Sequence, residues 1–296
     1  MKEYIQNIEI QKLGHFSNDL ISTDILRLDL LHPVVSGNKW FKLQYYLQEA
    51  LDTGKTTVAS FGGAYSNHIV AMAFAAKEMG LQSIGVIRGE AASILSPTLL
   101  QAKEYGMELR FVDRERYRNK EKMMQEWNNL GLYWINEGGY GPIGAKGAAD
   151  ILTILDTSRY THIICAVGTG TMMAGLIKTA GSWQAVVGIS VLKNHVALEN
   201  EIRWLLGPAE KQRSFSLLHN YHFGGYAKHP PGLIAFMRDM WLTEKVPTDI
   251  VYTSKLLFSV KDLIEKNYFP PGSKLLLIHS GGLQGNKSLE PDRLPF

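Results

Sequence analysis

The sequence predicts an α/β protein with two open, twisted, mostly parallel sheets that carry helices on both faces. Three observations predict it. From Thr56 to Ile135, short apolar and β-branched runs alternate with helical stretches, and a second such series follows Gly144. The glycine-rich segments fall where strands end. Parallel strands need a crossover, usually a helix, so strand–helix alternation favours parallel pairing. Two such blocks leave a crevice outside the carboxyl ends of their strands, where ligands bind.

Taken in order, residues 1–30 read as a short irregular arm ending in a strand, Ile25–Leu30. Ser36-Gly37-Asn38-Lys39 is a turn of small and polar residues, and Phe41, Leu43 to Leu47 and Leu51 continue it as an amphipathic helix. Thr57–Phe61 is a buried strand ending in Gly62-Gly63, and Ile69–Met79 is an alanine-rich helix stopped by Gly80. Ser83–Ile87 is a strand, Ser96–Tyr105 a helix with Pro97 in its first turn, and Glu108–Val112 a strand. Arg114–Asn129 is a charged helix and Tyr133–Ile135 a strand. After Glu137-Gly138-Gly139-Tyr140-Gly141-Pro142 come helix Gly144–Leu155, strand Thr161–Val167, helix Met172–Thr179, strand Ala185–Val191 and helix His195–Leu205. A loop-rich section, a helix at Leu233–Trp241, a mixed segment at Ile250–Lys266 and a strand at Lys274–Ile278 follow. There is no internal repeat.

At 296 residues the chain can form one large or two ordinary domains and bury a sizeable core. A net charge of +3 with dispersed Lys and Arg argues against a nucleic-acid partner, since even the basic stretch Arg110–Lys122 holds Asp113, Glu115 and Glu121. One cysteine, Cys165, excludes an internal disulfide framework and fits a reducing compartment. No apolar signal core opens the chain and no apolar run is long enough for a bilayer, so a cytoplasmic protein without membrane contact is expected.

Three stretches carry chemistry. Lys39 stands where a turn becomes a helix, and the positive end of the helix dipole disfavours its ammonium form. Desolvation lowers the pKa further and yields the neutral amine that a Schiff-base lysine needs. Taken alone, the same stretch is an ordinary surface lysine beside a turn. Gly168-Thr169-Gly170-Thr171 follows a strand and opens a helix, an arrangement that cradles phosphate with backbone N–H groups. It lacks the Gly-Lys-Ser/Thr of a Walker loop, and Met173 replaces the third glycine of a dinucleotide loop, so a lone phosphate suits it best. In Gly62-Gly63-Ala64-Tyr65-Ser66-Asn67-His68, Ser66 is a natural N-cap that leaves the N–H groups of Asn67 and His68 for a carboxylate. A serine hydrolase is disfavoured because there is no Gly-x-Ser-x-Gly elbow. His219, His222 and His229 lack further ligands at metal-binding spacing, so no metal is expected.

Together these pieces resemble the pyridoxal-phosphate enzymes of the tryptophan-synthase-β fold type (fold type II), and among them the D-cysteine desulfhydrase and 1-aminocyclopropane-1-carboxylate (ACC) deaminase family. Gly37-Asn38-Lys39-x-x-Lys42-Leu43 resembles the Schiff-base motif, and Gly62-Gly63-x-x-Ser66-Asn67 the ring and carboxylate loop. Tyr221-His222…Tyr226, Val251-Tyr252-Thr253…Lys255 and His279-Ser280-Gly281-Gly282 match in the family's order. The resemblance implies a smaller unit at 43–133, a larger cofactor-binding unit formed by 1–42 plus 134–296, and pyridoxal 5'-phosphate in the crevice between them. It implies that Lys39 carries the cofactor and then transfers protons, and that Gly168, Thr169, Gly170 and Thr171 hold the phosphate. Asn67 would bond the ring's phenolic oxygen, and backbone N–H groups at Ser66 to His68 would hold the substrate carboxylate. Tyr226 and Tyr252 would face the substrate, Ser66 would assist proton transfer, and Thr253 would sit opposite the pyridine nitrogen. A homodimer acting on a small amino acid is also implied.

Thr253 bears on the reaction. The family's ACC deaminases place a carboxylate there, which keeps the pyridine protonated and makes it a strong electron sink. A threonine suits an easier reaction, β-elimination giving an α-keto acid, ammonia and a good leaving group such as thiolate. ACC deamination is the weaker chemical reading. A racemase or β-replacing synthase, and a non-catalytic metabolite-binding relative, are further alternatives. Met172, where the family usually has threonine, departs from the pattern, as do His68, Trp40 and Phe41.

Overall fold

The computed structural model describes residues 2–296; Met1, in the expected N-terminal arm, lies outside the described residues. In chain order the strands are β1 (Ile10–Lys12), β2 (Ser22–Arg27), β3 (Thr57–Gly62), β4 (Gln82–Arg88), β5 (Glu108–Val112), β6 (Tyr133–Ile135), β7 (His162–Val167), β8 (Ala185–Ser190), β9 (Phe215–Leu218) and β10 (Lys274–His279). They form two sheets, one ordered β1-β2-β10-β7-β8-β9 and one ordered β5-β4-β3-β6. Every pairing is parallel except β1 on β2.

The helices are α1 (Asn38–Asp52), α2 (Asn67–Glu78), α3 (Pro97–Glu104), α4 (Arg114–Arg118), α5 (Lys120–Glu126), α6 (Pro142–Ala149), α7 (Thr171–Thr179), α8 (Leu198–Trp204), α9 (Pro231–Glu244) and α10 (Thr253–Glu265). Both sheets are covered on both faces, which is why their strands are almost continuously apolar. On the smaller sheet, Leu47, Ile69, Ala73 and Leu99 from α1, α2 and α3 pack with Val58, while Phe61, Val86, Tyr117 and Met123 fill the opposite face. On the larger sheet, α6, α7 and α8 bring Ala148, Leu176 and Ile202 to one face, and α9 and α10 bring Met237, Leu257 and Val260 to the other. Cys165 lies fully buried in β7, where burial pushes its thiol up to about 12.

The strand–helix order follows the sequence expectation, but two short strands are additional, β1 in the expected irregular arm and β9 in the expected loop-rich section, and there are local differences elsewhere. The charged helix expected over 114–129 is two helices, broken at Asn119, whose side chain accepts the Lys122 N–H at 3.2 Å. α6 ends at Ala149 and continues as a 3-10 turn over Asp150–Thr153. β2 stops at Arg27, and Leu28–Leu30 is a 3-10 turn. The mixed segment becomes one continuous helix, α10, with Leu256, Leu257, Val260 and Leu263 on its buried side. Among the described residues no helix is long and apolar enough to cross a membrane.

Candidate active site

The loops after β3 and β10 meet where Asn67 bonds the Gly282 carbonyl, and the turn before α1 lies against the end of β10. Gly37 has φ 70°, and a Cβ there would collide with the Ser280 carbonyl; Asn38 N–H donates to that carbonyl at 3.0 Å. Only glycine permits both the left-handed backbone and the close approach. The turn places Lys39 in the first helical turn, half-buried, with its Nζ donating to Asn38 Oδ1 at 3.0 Å. Desolvation by the surrounding crevice walls lowers the Lys39 pKa to about 8, and the Asp249 carboxylate works in the opposite direction.

Beside it, the loop Gly168–Thr171 opens α7, with Gly170 in the left-handed region at φ 77°. The hydroxyls of Thr169 and Thr171 face each other at 3.0 Å. A Cβ on Gly168 would lie 3.1 Å from the Tyr252 ring, and one on Gly138 3.5 Å from Thr169. The 137–139 turn thus closes over the loop, with Lys42 beneath it: a Cβ on Gly139 would be 3.2 Å from that side chain. Lys42 is buried, and burial, then the neighbouring charge of Lys39, hold its pKa well below the usual lysine value.

The loop after β3 completes the cleft. Ser66 Oγ accepts the Ile69 N–H at 3.3 Å as N-cap of α2, and among the described residues no protein acceptor takes the N–H of Asn67 or His68. Asn67 Nδ2 donates to the Gly282 carbonyl at 2.8 Å, while its Oδ1 is buried without a partner. The His68 imidazole turns away from the cleft to bond Ser60 Oγ at 2.7 Å, and burial, helped by the charges of Lys39 and Lys42, takes its pKa down to about 3. It is a neutral, structural ring.

Tyr226 and Tyr252 meet edge-to-face with centroids 6.1 Å apart, and burial raises the Tyr252 phenol well above its usual value. Thr253 is buried, and its hydroxyl donates to Asp249 Oδ1 at 2.8 Å and accepts the Asp249 N–H at 2.8 Å. Asp249 was not singled out by the sequence. Its carboxylate, fully buried, also takes the N–H groups of Val251, Tyr252 and Thr253 at 2.8, 2.9 and 2.8 Å. An aspartate just ahead of an apolar helix is the signal that could have found it. Arg88, exposed at the end of β4, lies near the loop after β3: its Nη2 is 3.8 Å from where a Cβ on Gly63 would stand. His222 and His229 hold loop backbone: His222 Nδ1 accepts the Gly224 N–H at 2.9 Å, and His229 Nδ1 donates to the Ala227 carbonyl at 2.8 Å. Among the described residues no group of three or more His, Cys, Asp or Glu side chains could hold a metal ion.

A half-buried lysine of lowered pKa, a glycine–threonine loop at a helix start and open N–H groups at a second helix start thus share one cleft. Residues 1–281 match the family model described as pyridoxal-phosphate dependent enzyme. The chain belongs to that family. It is 30% identical over 302 residues to a putative ACC deaminase of Pyrococcus abyssi, covering 93% of this chain and 89% of that protein. It is 28% identical over 295 residues to a bifunctional D-cysteine desulfhydrase/ACC deaminase of Arabidopsis thaliana, covering 88% of this chain and 72% of that one. A solved ACC deaminase homologue superposes with a TM-score of 0.83 at 28% identity, over 95% of this chain and 90% of its own. An O-acetylserine-dependent cystathionine β-synthase of Helicobacter pylori, at 16% identity and TM-score 0.70 over 98% and 97% of the two chains, shares the fold. The protein is therefore a fold type II enzyme that uses pyridoxal phosphate. The residues present fit that group: an amine for its aldehyde, a cradle for its phosphate and an orphaned amide oxygen on Asn67.

Proposed function

We propose that the enzyme removes an α-proton and a β-leaving group from a small amino acid, releasing an α-keto acid and ammonia, as a D-cysteine desulfhydrase does. The observation that carries this reading is the pairing of Thr253 with Asp249. Three backbone N–H groups and the Thr253 hydroxyl occupy the buried carboxylate, and the single Thr253 proton is spent on it, so the start of α10 offers the cleft a threonine oxygen and no free carboxylate. That suits a reaction in which negative charge at the α-carbon is discharged at once by loss of a stable thiolate.

Pyridoxal phosphate, held by Lys39 through its aldehyde and by Gly168 to Thr171 through its phosphate, supplies the electron sink at the substrate α-carbon. In this reading Lys42 offers N–H donors beneath the phosphate loop, and Asn67 and Thr253 meet the ring. The backbone N–H groups at Ser66 to His68 bind and orient the substrate carboxylate. Lys39 Nζ, neutral in useful amount near pH 8, takes the α-proton. Ser66 Oγ and the phenols of Tyr226 and Tyr252 lie on the substrate side, where they move protons and narrow access for water. The smaller unit, 43–133, and the larger, 1–42 plus 134–296, flank the cleft, and a cytoplasmic homodimer is the working form.

The test is to incubate the enzyme with D- and L-cysteine, β-chloroalanine and ACC. Pyruvate with sulfide from cysteine supports β-elimination. Turnover of ACC alone, giving 2-oxobutanoate, would overturn it in favour of the second reading, ACC deamination, which the names of the relatives favour. No keto acid from any of them, with the cofactor bound, would remove both.

A further inference from the structure

The segment that presents Tyr226 runs through an unusual backbone. Phe223, Gly224, Gly225 and Ala227 have φ of 53°, 94°, 128° and 55°, and two of these are not glycine. Residues with side chains adopt this region only when surrounding contacts over-determine it. Tyr226 is 55% exposed at the cleft, so its own packing does not fix it.

The contacts come from one stripe of α10. Lys255, fully buried, sends its Nζ to the carbonyls of Gly225 at 2.7 Å and His222 at 3.1 Å. One turn on, the Phe258 ring meets that of Phe223 edge-to-face at 4.9 Å. One turn further, Asp262 Oδ2 accepts the Tyr221 hydroxyl at 2.6 Å. Residues 255, 258 and 262 share a helical face. The same helix begins with Thr253, immediately after Tyr252.

We propose that Lys255 is a positioning residue: its buried Nζ clamps the 222–225 turn so that one helix sets Tyr226 against Tyr252. A buried lysine is costly and is retained only where it is well partnered. Here its hydrogen-bonding partners are two loop carbonyls, each at a residue next to a positive-φ position, and the Asp249 carboxylate offsets part of the cost of burying its charge. Phe258 and Asp262 extend the clamp. The proposal rests on the function above only in taking the two tyrosines to face the substrate.

The experiment is hydrogen–deuterium exchange on the cofactor-loaded enzyme at fixed pH, with kinetics beside it. In Lys255→Met, amides of 222–227 should exchange at least ten-fold faster while cofactor loading is retained. kcat should fall about ten-fold, and Tyr226→Phe added to Lys255→Met should cost less than three-fold more. Lys255→Gln, which keeps two N–H donors, should recover part of both. Unchanged exchange at 222–227 in a folded Lys255→Met, or losses that simply multiply with Tyr226→Phe, overturns the proposal. Should Lys255→Met fail to fold, Tyr221→Phe tests the far end of the same stripe: exchange at least three-fold faster is expected across 221–227, and none faster overturns the clamp. The exchange result needs no turnover, so a lack of lyase activity would sink the proposed function and leave it standing.

Discussion

The Asn38 side-chain amide links two parts of the site. Its Nδ2 lies 3.1 Å from Met172 Sδ, and its Oδ1 accepts from Lys39 Nζ at 3.0 Å. The sulfur at the start of α7 therefore decides which end of the amide faces the lysine. Met172 thus contacts Asn38, while Thr171 turns its hydroxyl to Thr169. Met172→Leu keeps the volume but leaves a buried N–H group without an acceptor. It should cost about 1 kcal/mol in urea unfolding and slow cofactor attachment to Lys39 several-fold. An unchanged attachment rate would separate Met172 from the lysine.

Lys39 should show its lowered pKa in two ways. At pH 7.5 an amine of pKa about 8 is about one quarter neutral, against roughly one part in a thousand for an ordinary lysine. Attachment of the aldehyde to the cofactor-free protein, trapped with borohydride, should rise with pH and level off just above 8. Folding responds in the same window. Between about 8 and 10.5 the unfolded chain holds more protons at this position, so its contribution to stability increases as pH climbs. The stability difference between wild type and Lys39→Met should change across that range in favour of wild type; a flat difference means the pKa is ordinary.

Asp249 does two jobs that can be separated. Removing its carboxylate in Asp249→Ala leaves three buried N–H groups and a hydroxyl without their acceptor, at a cost of about 3 kcal/mol or more. Thr253→Val removes only the hydroxyl bonds and should cost about 1–2 kcal/mol. Because the Asp249 charge holds the Lys39 ammonium up, Asp249→Ala should also move the attachment plateau to lower pH, whereas Thr253→Val should not. Equal plateaus in the two variants would rule out that coupling.

Ser66 caps α2 and faces the cleft. Replacing an N-cap serine by alanine costs about 1 kcal/mol, and by glycine only a few tenths. Ser66→Ala and Ser66→Gly should therefore differ in thermal stability yet share a loss of at least ten-fold in kcat. Full activity in the glycine variant would confine Ser66 to capping.

How much of this was legible depends on whether the cause is local. The turn at Gly37, the cap at Ser66 and the glycine–threonine loop at 168–171 are set by neighbours in sequence, so residue type and spacing reveal them. The contacts of Lys255 come from burial and approach across a long separation, from α10 to the 222–225 turn, and nothing beside it in the chain announces them. β9 is a four-residue edge strand, half-exposed, whose partner β8 supplies the order that its own pattern lacks. The break between α4 and α5 was readable in principle, since Asn119 is a good cap, but helical charge patterning on both sides obscured it. α10 was obscured by the capped, polar residues of its first turn, which belong to the site more than to the helix.

Cys165 carries a consequence for an enzyme that would generate sulfide or thiols. The chain's one sulfhydryl lies fully buried in β7, kept protonated by a pKa of about 12. Mixed disulfides and persulfides form at an accessible thiolate once an oxidant or a disulfide is present. Such a product therefore finds no partner on the polypeptide, and the native enzyme should resist alkylating reagents while working in a medium that modifies exposed cysteines.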